Sequence, residues 1–277
     1  MTTHVIESPD VISMEFMDVG LGKITKALQE RLSEYVTKTK LTMLSILKEL
    51  TVNETEGFVI GSVNKRVSNA NYITLSEVAM SVPVGLNCTM LEYMDALGHS
   101  QDIVDRIVES TFDTSLNYFS ILLASPENLS SLSVNREFAR IVLFIKEREN
   151  AVKEVKKCFL KNDTVEFVKY GALYKRNSDF VTASDQLTDL VERLAKVPSS
   201  VIRTKVTAIC DILDRLSQLM KRSPDVYTVN GITAKHMSDT TYELAKIAEF
   251  YASYFYLIQS ITSAAKDNVK RIKDSGI

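Results

Sequence analysis

Three histidines and three cysteines are the softest metal ligands this 277-residue chain offers. A structural zinc site needs four such ligands converging from close spacings, because the ion takes its tetrahedral shell from side chains that must meet at one point. His4, His99, His236, Cys88, Cys158 and Cys210 are scattered and show no such spacing. No metal and no cofactor is therefore expected. A phosphate cradle needs clustered glycines so that backbone N–H groups can approach the anion. The one glycine cluster of that kind, Gly20-Leu21-Gly22-Lys23, fits neither the P-loop nor the dinucleotide spacing, and reads as an ordinary helix start. There is no G-x-S-x-G elbow, and no cysteine has a histidine within its own predicted helix, so no catalytic residue is assigned and enzymatic activity is not expected. The acid pairs Glu109/Asp113 and Asp185/Asp189 share helix faces, as carboxylate ligands do in some metal-binding bundles. Without an accompanying Glu-x-x-His pattern they read as solvated face charge.

Two clusters could act through binding. Lys146, Arg148, Lys153, Lys156, Lys157 and Lys161 form a basic row on one predicted helix, with Lys153, Lys156, Lys157 and Lys161 as the candidate basic face. Glu147, Glu149 and Glu154 interrupt it, and pairs such as Glu149 with Lys153 both support the helix and partly neutralise the row. Nucleic-acid binding would call for an uncompensated stripe with aromatic residues to stack on bases, which this row lacks. An aromatic row, Phe250, Tyr251, Tyr254, Phe255 and Tyr256, covers more than one side of its predicted helix. Part of it belongs to the core, and Tyr251, Tyr254 and Phe255 are also candidate anchors for a subunit contact, since their rings bring apolar area at low entropic cost.

The elements that must position these residues are mainly helical. Only 9 Gly and 5 Pro occur, too few turn residues for a many-stranded sandwich or barrel. Apolar residues recur at spacings of three and four over 22–50, 89–97, 100–122, 136–160, 164–174, 178–197, 200–221 and 233–273, which predicts an all-α multi-helix bundle with long helices. Gly98 is expected to break one helix and Ser100 to cap the next. Asp163 is expected to cap the helix at 164–174. A small β or loop insertion is expected near 51–87, with β-favouring runs at Phe58–Val63 and Tyr72–Leu75. Residues 1–20 mix apolar pairs with Pro9 and read as an N-terminal arm that docks on its own body or on a neighbour.

Charge is uneven along the chain. Residues 1–127 hold 17 acidic side chains against 9 basic ones and residues 128–277 hold 18 against 24, so an acidic, mostly helical half (21–127) precedes a basic helical-bundle half (128–277). The two halves either face each other within one fold or let neighbouring copies pack head to tail. Three cysteines, odd in number and far apart, argue against a disulfide framework and for a reducing compartment. MTTHVIESPD has neither the basic start nor the apolar run of a signal peptide, and no apolar stretch reaches the length of a membrane span. A cytoplasmic or virion location is the expectation.

Two stretches, VPVGLNCTMLEYMDALGHSQDIVDRIVESTFDTSLNYFSILLASPENLSSL (Val82–Leu132) and AKHMSDTTYELAKIAEFYASYFYLIQSITSA (Ala234–Ala264), resemble virion structural proteins of large tailed bacteriophages. The resemblance covers under a third of the chain and transfers no functional residues. It implies a non-enzymatic head or tail component present in several copies. The expected function is thus a structural or scaffolding subunit whose partners are other protein subunits, through self-association or virion contacts. The alternative is a basic-faced helical module that binds nucleic acid or anionic membrane.

Overall fold

The computed structural model describes residues 61–124, 148–196, 198–222 and 231–276, together with Thr37, Lys40, Leu41 and Leu44. The expected arm at 1–20, the connector at 128–135 and the turn at 223–230 lie outside the described residues, as does most of the helix expected at 22–50. In chain order the elements are α1 (Gly61–Asn69), α2 (Tyr72–Ser76), β1 (Ala79–Val84), α3 (Met90–Ala124), a helical stretch at 148–156, β2 (Lys161–Lys169), α4 (Tyr170–Leu173), α5 (Asn177–Lys196), α6 (Pro198–Arg222) and α7 (Gly231–Asp274). Helix accounts for 81% of the described residues, which makes the fold mostly α with one small two-stranded sheet. None of the described helices is long and apolar enough to cross a membrane.

Several boundaries differ from those read in the sequence. The expected helix at 164–174 is β2 followed by the single turn α4, because Val165, Phe167 and the residues between them alternate in strand fashion and pair with β1. Within the 51–87 insertion, 61–69 and 72–76 are helical, and the one strand among the described residues is β1. Its partner comes from outside the insertion, some eighty residues on. No break occurs at Gly98: α3 runs through it, and a Cβ there would touch nothing. Ser100 is accordingly an interior helical residue and not a cap. The real N-terminal signal of α3 is a capping box. The Thr89 N–H donates to Glu92 Oε2 at 2.9 Å, and the Glu92 N–H returns to Thr89 Oγ1 at 3.3 Å. The Thr89 hydroxyl, which donates to Glu92 Oε2 at 2.7 Å, and the Thr89 N–H together hold the Glu92 carboxyl below its ordinary range. Pro198 stands at the first position of α6, where its missing N–H costs nothing.

The chain divides into two compact units. The first takes Met1–Glu49, Val108–Arg148 and Val201–Glu249, and the second Leu50–Ile107, Glu149–Ser200 and Phe250–Ile277. Both therefore draw on residues before and after position 127, where the charge balance changes sign.

In the first unit, Phe112, Phe119, Ile209 and Leu213 are buried among others in the core. Lys205 on α6 bridges Glu109 and Asp113 of α3 at 3.7 and 2.8 Å. Arg148 is buried, and its Nη1 donates to Thr111 Oγ1 at 2.7 Å. Burial lowers the pKa of that guanidinium, and the nearby Glu243 carboxylate opposes the shift.

In the second unit, β1 and β2 pair antiparallel, with Ala79 opposite Lys169, Ser81 opposite Phe167 and Pro83 opposite Val165. The Tyr170 N–H donates to the Val78 carbonyl at 2.8 Å, one step beyond the ladder. Hydrogen-bonded and non-bonded pairs alternate in such a ladder, so Met80/Val168 and Val82/Glu166 exchange inter-strand bonds while 79/169, 81/167 and 83/165 do not. Pro83 is therefore tolerated: its absent N–H would have pointed away from β2. The backbone of Ser81 also points away, and Asn268 of α7 meets it. The Ser81 N–H donates to Asn268 Oδ1 at 2.5 Å, and Asn268 Nδ2 donates to the Ser81 carbonyl at 2.8 Å. Both residues are at least 96% buried. The carboxamide thus replaces one residue of a third strand and closes the edge of β1.

Beyond β2, Tyr170, Tyr174 and Phe180 pack ring against ring at 4.8–6.0 Å. A Cβ at Gly171 would stand 3.0 Å from the Ser76 Cβ, so a larger residue there would push that neighbour by a few tenths of an ångström. Asn177 Nδ2 donates to the carbonyls of Val67 and Ala70, both at 2.9 Å, which ties α5 to the end of α1. A cavity of about 30 Å³ borders Ser81, Met94, Ser184, Ile261 and Asn268, room for about one water molecule.

Replacing Asn268 with Ala leaves a buried N–H and a buried C=O of Ser81 without partners, a loss of about 2–4 kcal/mol. Asn268→Asp keeps the acceptor but sets a carboxylate oxygen against the Ser81 carbonyl, so it should cost at least as much. Urea unfolding of the three proteins checks this order, and an Asn268→Ala midpoint equal to wild type would refute the edge-closing role.

Candidate functional site

The densest polar arrangement in the second unit joins α3 to α5. Gln101, Asp102 and Asp105 share an α3 face at helical spacing. Arg193 of α5 reaches across, with Nη2 2.6 Å from Asp102 Oδ1 and 3.1 Å from Asp105 Oδ2. Two turns toward the N-terminus of α3, Gln186 Nε2 donates to Asp95 Oδ1 at 2.6 Å. The hydrogen bond from Arg193 holds the Asp102 carboxyl below its usual range and raises the guanidinium. A carboxylate stabilised in this way is a poor proton acceptor near neutrality. Both partners are more than two-fifths exposed, so solvent screens the pair, and its role is to align two helices. Beneath it Gln101 is fully buried, and its Nε2 donates to Asp105 Oδ1 at 2.6 Å while its Oε1 has no donor.

The aromatic candidates separate by burial. Tyr251 is 3% exposed and Tyr254 0%, and the Tyr254 hydroxyl donates to the Leu97 carbonyl at 3.2 Å. Burial raises both phenol pKa values, so neither ionises at ordinary pH. These two rings are core groups that tie α7 to α3, out of reach of a partner in this conformation. Phe255 is half-buried and meets Tyr256 edge-on at 6.5 Å.

The basic candidates also separate. Lys153, Lys156 and Lys157 are exposed at the end of the 148–156 helical stretch, with no salt bridge among the described residues. Lys161 opens β2 and does not continue their helix, and Arg148 of the same expected row is buried. Lys146 lies outside the described residues.

Burial pushes Cys210 up to about 11 and also raises Cys88. Cys158 Sγ lies 3.3 Å from Ser100 Oγ, and its carbonyl accepts from the Tyr93 hydroxyl at 2.8 Å. His99 approaches Glu154 at 4.0 Å. The acid pairs are split among structural partners: Glu109 and Asp113 flank Lys205, and Asp185 accepts from Asn64 Nδ2 at 3.0 Å. Among the described residues no group of three or more His, Cys, Asp or Glu side chains could hold a metal ion.

One surface stands apart: the outer edge of β2. The ladder parity that turns Ser81 toward Asn268 turns the backbone of Val165, Phe167 and Lys169 away from β1. The Val165 and Phe167 backbone groups have no partner on that side among the described residues. Their side chains are 54% and 60% exposed. Arg271 of α7 stacks on the Phe167 ring at 4.5 Å, and Lys169 Nζ pairs with Glu77 Oε2 at 2.5 Å. An open strand edge carrying large apolar side chains is a template for another strand. The helix reading of 164–174 hid this feature, although the Thr-Val-Glu-Phe-Val alternation with its β-branched residues carried the signal.

Arg193→Met should cost under about 1 kcal/mol at pH 7, the scale of an exposed pair. Asp102 has a depressed folded pKa, so the pair's contribution is present above its ordinary 3.8 and fades as pH falls below it. Urea midpoints of wild type and variant should therefore converge in acid, and a gap that persists there would exclude this origin. Gln101→Leu removes an orphaned acceptor together with one hydrogen bond, so its midpoint should move by about 1 kcal/mol or less.

No protein-family model, curated protein or solved structure matches the chain.

Proposed function

We propose that this protein is a non-enzymatic structural or scaffolding subunit of a larger assembly, acting through protein–protein contacts, with a virion of a large tailed bacteriophage as the setting that its sequence resemblance implies. The observation that carries the reading is the open apolar edge of β2. Its outward Val165 and Phe167 are more than half exposed beside unpaired backbone groups. Monomeric proteins usually blunt such edges with bulges, inward charges or covering elements. Here Asn268 answers the outward backbone of Ser81 on β1, while β2, beyond the register shift opposite Pro83/Val84, keeps Val165 and Phe167 exposed beside outward backbone groups, as expected of a surface kept for a partner.

The polar groups that could do chemistry support the same reading. Asp102, Asp105 and Arg193 hold two helices together, the tyrosines are buried and protonated, and the Cys210 thiol is raised to about 11. Each is committed to stability.

A second reading rests on Lys153, Lys156 and Lys157, exposed near the start of β2 and without salt bridges among the described residues. Such a cluster supports a module that binds nucleic acid or anionic membrane, and that binding would weaken steeply with salt.

Size-exclusion chromatography with light scattering tests the first reading: the mass should rise above 31.1 kDa as concentration increases. A chain that stays monomeric throughout, and recovers no stoichiometric partner from its native particle, would count against it. Salt-sensitive binding to duplex DNA or anionic vesicles would favour the second reading.

A further inference from the structure

We propose that the small cavity of the second unit is a binding site for a single ordered water, which extends the Asn268 bridge from β1 to α5.

The cavity, about 30 Å³, admits a guest the size of a water molecule and little more. Its walls are of two kinds. Met94, Leu187, Ile261 and Ala264 are buried and apolar, and offer a guest no hydrogen bond from their side chains. Ser81 of β1, Ser184 of α5 and Asn268 of α7 are equally buried, and polar.

Each polar wall residue has bonding capacity left over. Ser184 gives its carbonyl to the Thr188 hydroxyl at 2.9 Å, and Ser81 gives its N–H and carbonyl to Asn268. Neither serine hydroxyl has a hydrogen-bond partner among the described residues. Asn268 Nδ2 carries two N–H groups, of which the Ser81 carbonyl takes one at 2.8 Å. Two hydroxyls and one N–H thus belong to the wall of one small space. Were that space dry, all three would lack a partner, and buried polar groups are seldom left so. A water supplies what they need. It accepts from the second Asn268 N–H and donates to Ser81 Oγ and Ser184 Oγ, and three bonds are typical of a buried water.

The same count makes the site selective. An apolar guest of similar size would fill the space yet leave the hydroxyls and the N–H unpaired. Held by residues 81, 184 and 268, the water adds a polar tie from α5 to the direct bond between β1 and α7.

A high-resolution crystal structure of the full chain should show one water within hydrogen-bonding distance of Ser184 Oγ and Asn268 Nδ2. Crystals pressurised with xenon should show no xenon there. Dry apolar cavities do bind xenon. Xenon density at this place, or an empty cavity with the Ser184 hydroxyl turned onto the Phe180 carbonyl of its own helix, would overturn the proposal. Urea unfolding gives an independent reading. Ser81→Ala and Ser184→Ala each remove one partner of the same water, so the second removal should matter less than the first. The effect of the double variant on the unfolding constant should fall several-fold short of the product of the single effects, although the two hydroxyls do not bond each other. Strictly multiplicative effects, or single variants as stable as wild type, would show that the hydroxyls share no water.

Discussion

The bidentate contact between the Asn268 carboxamide and the Ser81 backbone is the constraint on which the second unit depends. β1 is buried on both faces from Met80 to Pro83, and a buried backbone cannot leave its hydrogen-bonding groups to water. One side of the strand is answered by β2. The other is answered by a side chain from α7, at distances of 2.5 and 2.8 Å. A helix residue thereby completes a sheet, and the position of α7 within this unit is set by backbone chemistry as well as by apolar packing.

An asymmetry follows. With the outward backbone of Ser81 answered, the pleat decides which β2 residues face the opposite edge. Val165 and Phe167 point their backbone outward because their partners, Pro83 and Ser81, point theirs the other way. Proline at 83 fits the same parity, as its ring occupies a position where no donor is needed. Arg271, one turn from Asn268, then covers part of the Phe167 ring, so α7 both seals one edge of the sheet and frames the other.

The remaining polar groups bind helices to each other at modest individual cost. Arg193 with Asp102 and Asp105 is a largely exposed clamp, and in the first unit Lys205 plays the same part between Glu109 and Asp113. Buried polar atoms are mostly satisfied locally, as where Tyr254 bonds the Leu97 carbonyl and Arg148 bonds Thr111. These groups are held by neighbours in ways that suppress proton transfer: Asp102 is kept ionised by a cation, and Tyr251 and Tyr254 are kept neutral by burial. Exposed apolar side chains at Val165 and Phe167 and a locally satisfied interior accord with the structural role proposed above.

The three-and-four spacing of apolar residues was enough to establish the helical class, because a helix buries a stripe and the stripe is written locally. It located α5, α6 and α7 to within a few residues, with α6 starting at Pro198, two residues before the expected start at 200. It also offered Tyr251 and Tyr254 as candidate contact anchors, and the structure buries both. Strand pairing is different in kind: β1 and β2 lie some eighty residues apart, and each is too short to outweigh the helical pattern around it. At Gly98 the sequence suggested a break that cooperative helix propagation on both sides removes. The open edge, the closing role of Asn268 and the division of the lysines between a helix and a strand depend on which distant residues meet. Only the tertiary structure decides that, since a backbone group's partner is fixed by long-range geometry and leaves no periodic trace in the chain.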